Sequence, residues 1–240
     1  MLSPFDLPAG ILLLVTDQLS SPADFVLYRA VFDHLKAAKS DKVTKAIVLS
    51  VSPDRARWAA VAAKSNIQLD QKLTTGAFTF VDVISPKSEP DLRPAFDTVV
   101  SELGKSGGAD VLVVVDDLAT LEWTGTPVLD LTCFCRALAA ACRKANATLL
   151  IRQHVLTPST TEPILEDLFR TLHHMCTYHM EVLPLSSGRS GAVSGQVALH
   201  IGPGTVRAGV KLYPRSSAIH YKLADTGALF FERGTASGVL

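Results

Sequence analysis

Two short segments of this 240-residue chain carry side chains that could do chemistry at the end of a strand. The first, Thr16-Asp17-Gln18-Leu19-Ser20-Ser21-Pro22, follows the apolar run Ile11–Val15. The second, Asp116-Asp117, follows five consecutive aliphatic residues, Val111–Val115. An aliphatic strand ending in aspartate is the form in which nucleotide-hydrolysing folds present a carboxylate to magnesium and water. That chemistry also needs a cradle: glycines whose N–H groups converge on phosphate, a lysine for the terminal phosphates, and a serine or threonine for the metal. The first segment has no glycine and no lysine. Its proline removes a donor, and Asp17 repels phosphate. Without a cradle, Asp116 and Asp117 read as strand-end carboxylates satisfied by backbone donors. Asp17 reads as a residue that alanine can replace with function largely intact.

No other constellation competes. The chain has no GxSxG elbow, no HExxH and no GxGxxG after a strand. His173, His174 and His179 straddle a helix end and read as surface or capping residues. Cys133, Cys135, Cys142 and Cys176 lack CxxC spacing and read as reduced, packed thiols. No metal or cofactor is implied. Basic and acidic residues balance at 23 each, so no global field draws the protein to nucleic acid or an anionic membrane. Charged residues make up 19%, below the usual ~25%. Such a surface fits either a large alanine-rich core or apolar area covered by other subunits. No apolar run is long enough to span a membrane.

The elements that must position these residues alternate. Apolar runs at 11–15, 46–51, 77–84, 111–115 and 149–155 read as strands. Helical spacing occupies 24–38, 53–65, 92–103, 128–144 and 164–175, with Ser21 and Pro22 read as the start signal of the first helix. From Met180 onward short strands replace the helices, at 180–185, 196–201, 206–212, 219–223 and 229–231, with Asp225-Thr226-Gly227 turning the last hairpin. The pattern predicts one α/β domain over 1–240. Its mostly parallel body, with helices on both faces, covers about 10–180, and antiparallel strands extend it over about 180–234.

Strand, degenerate loop, helix, and then VLVVVDDLATL before a long cysteine-rich helix is a RecA-like pattern without its ATP site. With Asp116-Asp117-Leu118, Val128-Leu129-Asp130, Cys135-Arg136, Tyr221-Lys222, Phe230-Phe231, Gly234 and Val239-Leu240, the sequence resembles the family of the sixth Elongator subunit along nearly its whole length. That resemblance implies a non-catalytic protomer in a hetero-hexameric ring, alternating with the fourth and fifth Elongator subunits and joined by the remaining ones. The implied ring binds tRNA, directly or indirectly through this subunit, and supports wobble-uridine modification in the cytoplasm, with a nuclear pool as a second location. An active ATPase with an atypical phosphate loop is the alternative. In RecA-like rings the loops after the fourth and fifth strands face the channel. There Arg152 and His154 would meet phosphates and Trp123 would stack on a base, with Arg189 a further nucleic-acid contact. Trp123 reads equally as an interface anchor.

Overall fold

Apolar runs that show no alternation become the interior of a sheet covered on both sides. The computed structural model describes residues 5–37, 43–84, 91–155, 167–185, 188, 191–204, 209–225 and 227–233. Its strands β1 (Leu12–Asp17), β2 (Thr44–Ser50), β3 (Phe78–Asp82), β4 (Asp110–Val115), β5 (Thr148–His154) and β6 (Tyr178–Leu183) run parallel. Three antiparallel strands follow: β7 (Gly195–Ile201), β8 (Ile219–Ala224) and β9 (Gly227–Phe231). The order across the sheet is β3-β2-β4-β5-β1-β6-β7-β8-β9. The sixth strand, placed among the antiparallel set by its sequence position, instead pairs parallel with β1.

Helices α1 (Asp24–Lys36), α2 (Arg55–Lys64) and α3 (Leu69–Thr74) cover one face, burying Val31, Phe32 and Trp58 against Val15, Val48 and Val114. On the opposite face lie α4 (Arg93–Gly104), α5 (Leu118–Trp123), α6 (Val128–Lys144) and α7 (Asp167–Met175). There Val99, Leu138 and Leu172 meet Leu14, Ile47, Val113 and Ile151. Alternation of side chains along each strand therefore feeds both cores. No helix among the described residues is long and apolar enough to cross a membrane.

Three local expectations are corrected. Residues 210–212 form no strand; Tyr213 alone bridges to Leu199, and 205–208 lie outside the described residues. The N-cap of α1 is Ala23 rather than Ser21, because the Ser21 hydroxyl is engaged by Tyr221 at 2.9 Å. The six-residue helices α3 and α5 carry too little periodicity to be read from sequence. The close passage of the chain after β7 depends on Gly202: a Cβ there would sit 2.2 Å from the Cys176 carbonyl oxygen.

A strand-end crevice closed by its own ion pairs

In wound α/β sheets ligands bind beyond the carboxyl ends of the strands. Here β1, β4 and β5 bring Asp17, Asp116, Asp117, Arg152 and His154 to that end, all five buried. Asp17 is the hub. Its Oδ2 accepts the Ala23 N–H at 2.6 Å and the Arg152 Nε–H at 3.0 Å, with Arg152 Nη2 at 2.9 Å. Its Oδ1 lies 2.7 Å from His154 Nδ1, and neither atom has another partner. Arg152 also donates from Nη1 to Asp24 Oδ1 at 3.1 Å and from Nη2 to His154 Nε2 at 3.1 Å. Arg152 can only donate, so Nε2 of His154 accepts from it, while Nδ1 faces Asp17 Oδ1. Burial alone would lower the pKa of Arg152; Asp17 and Asp24 outweigh it and raise the value.

The two aspartates after β4 are spoken for locally. Asp116 accepts the Val51 N–H at 2.7 Å and the Ser50 hydroxyl at 2.5 Å. Burial pushes its carboxyl up to about 6, and those two hydrogen bonds offset only part of the shift. Asp117 caps α5, accepting from Thr120 N–H at 3.1 Å and Thr120 Oγ1 at 2.7 Å. Each accepts one backbone N–H, as the reading of strand-end carboxylates satisfied by backbone donors requires, and one side-chain hydroxyl that it did not foresee.

The residues expected to meet RNA fall apart as a group. Arg152 and His154 lie within β5 rather than on the loop after it. Both are buried and bound to carboxylates, so the expectation that they meet phosphates is corrected. Trp123 ends α5 and is 49% exposed, with its ring stacked on His154. Arg189 lies outside the described residues.

A second cluster escaped sequence reasoning. His179 on β6 is buried, with Nε2 2.7 Å from Thr16 Oγ1, and burial lowers its pKa to about 4. Beside it Glu181 accepts from Arg215 Nε at 2.8 Å and lies 2.7 Å from His200 Nε2. His179 is thus neither a surface nor a capping residue. The period-two spacing of 179 and 181 on one strand face was the available signal; it is readable only once β6 is known to be a strand. Among the described residues no group of His, Cys, Asp or Glu could hold a metal ion. Cys135, Cys142 and Cys176 are buried, and burial pushes each thiol up to about 12.

These features define a RecA-like domain whose strand-end crevice is filled by its own charged side chains. A KaiC-like protein from Pyrococcus horikoshii superimposes on it with a TM-score of 0.67 at 8% identity, over 94% of this chain and 91% of that one. The chain belongs to the Elongation complex protein 6 family, whose model matches residues 81–225. It is 26% identical to Elongator complex protein 6 of Danio rerio over 99% of this chain and 96% of the relative. With the Xenopus laevis protein of the same name it shares 31% over 62% of this chain and 57% of that relative.

Proposed function

We propose that this chain is a non-catalytic subunit of a hetero-hexameric RecA-like ring built with the fourth and fifth Elongator subunits. In this reading the ring binds tRNA and supports wobble-uridine modification, in the cytoplasm and in a nuclear pool. One observation carries the non-catalytic part. The carboxylate of Asp17, the last residue of β1, is neutralised internally by Arg152 and accepts the Ala23 N–H just before α1. A phosphate entering there would have to displace a buried ion pair whose separated charges cost several kcal/mol each. Family membership supports the assembly part.

The test is native mass spectrometry of the chain alone and co-expressed with the fourth and fifth Elongator subunits, with and without ATP. A mixed hexamer and no ATP adduct on the isolated chain is the expected result. A homo-oligomer that binds ATP by itself would overturn the proposal and favour an active ATPase. Filter binding of tRNA to the purified mixed hexamer tests the RNA part separately.

A further inference from the structure

Strand β6 is held in the sheet by ladders on both sides, to β1 and to β7, whereas α7 lies over the strands by side-chain packing alone. Two residues of α7, Leu168 and Leu172, are buried. A further contact toward the sheet is aromatic. Phe169 and His173 pack on the His179 ring of β6, with centroids 5.9 and 5.4 Å away. The same ring meets His200 of β7 at 6.0 Å, and its Nε2 lies 2.7 Å from Thr16 Oγ1 of β1. His179 is 5% exposed.

The ionisable groups around this ring are unevenly matched. On α7 stand His173 and His174, with ring centroids 6.4 Å apart; β7 adds His200, and the turn between β7 and β8 adds Arg215. Among the described residues, the carboxylate facing them is Glu181, and it is already engaged. Arg215 Nε donates to it at 2.8 Å, and His200 Nε2 lies 2.7 Å from it. Strands β1 and β5 present neutral side chains on this face, ending at Thr16 and Gln153, and α6 turns Leu138 and Cys142 to the same core. A proton on His179 therefore makes a buried cation beside two further imidazoles, with no free carboxylate to receive it. Burial lowers the pKa of His179 from 6.5 to about 4 against the opposing pull of Glu181, and burial and His174 lower that of His173.

We propose that this seam is an acid-sensitive latch: protonation of His179 and His173 releases α7 from the sheet while the β1–β6–β7 ladders hold. The sign follows from burial. The rings take up protons more readily once α7 lifts and water reaches them. The closed latch is thus stable above about pH 6.5 and is lost progressively as pH falls toward 4. Glu181, held at about 2, and Arg215, raised by Glu181, keep their charges through that window, so within the seam the imidazoles alone change state.

The test is hydrogen exchange of the full chain between pH 7 and about pH 5.5, read by mass spectrometry on peptides from α7, β6 and β7 and corrected for intrinsic exchange rates. Opening of α7 is expected to increase about tenfold over that range, with β6 and β7 unchanged. His179→Gln keeps an amide within reach of Thr16 and removes the proton site, so the response of α7 should shrink to less than about threefold. Because a substitution at a buried position can itself prevent folding, the wild-type His179 imidazole is also titrated by NMR, with a midpoint below about 5 expected. An α7 response no larger than that of β6 and β7, a His179→Gln chain that keeps the full response, or a His179 midpoint near 6.5 overturns the proposal.

Discussion

Arg152 and Asp17, 135 positions apart in sequence, meet at 2.9 Å with 5% and 0% of their side chains exposed. The contact fastens the end of β5 to the residue that ends β1, so the segment leading into α1 is held by charge. A buried pair of this kind adds little net stability over an apolar substitute, but removing one partner strands the other.

Replacing Asp17 with alanine is therefore expected to be costly, in contrast to the sequence-based expectation that it is dispensable. The change leaves Arg152 with Asp24 as its remaining carboxylate and removes the acceptor for the Ala23 N–H. The expected loss is about 3 kcal/mol, read by urea unfolding at pH 7. Adding Arg152→Met to Asp17→Ala should restore part of that stability, because no buried charge is then left unpaired. A single variant within about 0.5 kcal/mol of wild type would sink the argument.

Asp116→Asn should be neutral or stabilising at pH 7, by up to about 2 kcal/mol. The Ser50 hydroxyl lies 2.5 Å from both the Pro53 carbonyl and Asp116 Oδ2, yet it has one proton to give. A protonated Asp116, or an asparagine, donates to Ser50, which then donates to Pro53, while Oδ1 still accepts from Val51. The sign follows: a carboxyl raised from 3.8 to about 6 contributes stability below about pH 4 and loses it as pH rises through 6. The advantage of the variant should accordingly be full at pH 7 and small by about pH 4.5. An Asp116→Asn chain clearly less stable than wild type at pH 7 would show that the ionised form is the favoured one.

Much of the fold was legible because long apolar runs and proline-opened helices survive any tertiary context; α6 begins and ends at Val128 and Lys144 as its pattern requires. The missing cradle was equally plain, since a loop without glycine or lysine cannot converge donors on phosphate. What fills the crevice was not legible. Arg152 on a strand looks the same in sequence whether its head reaches solvent or a carboxylate, and Asp17 is paired with it only through the β1–β5 register. His179 was misread for the same reason: its burial depends on β6 entering the sheet beside β1.

The hydroxyls of Ser21 and Tyr221, 200 positions apart, share a buried hydrogen bond of 2.9 Å that joins the loop after β1 to β8. Tyr221→Phe keeps the ring against Phe25 and removes only the oxygen, leaving the Ser21 hydroxyl without this partner. A loss of about 1–2 kcal/mol in urea unfolding is expected. Ser21→Ala in the Tyr221→Phe background should cost almost nothing more, since both ends are then apolar. Full additivity of the two changes would show that the bond does not hold the loop.

Glu181 should make stability fall in acid. Burial alone would raise its carboxyl; Arg215 and the neighbouring imidazoles of His179 and His200 overcome that and hold it at about 2. A carboxyl depressed from 4.5 contributes stability above that pH and loses it as pH falls toward 2. Glu181→Gln removes the charge and turns an amide donor toward Arg215, which offers only donors. The Arg215 side chain is 68% exposed, so solvent screens the pair and the expected cost at pH 7 is about 2 kcal/mol rather than the full value of the shift. That cost should shrink to less than half by about pH 3 and diminish with added salt, both measured as the difference in unfolding midpoint between variant and wild type. A difference that stays constant from pH 7 to pH 3 would mean that Glu181 acts through packing rather than through its charge.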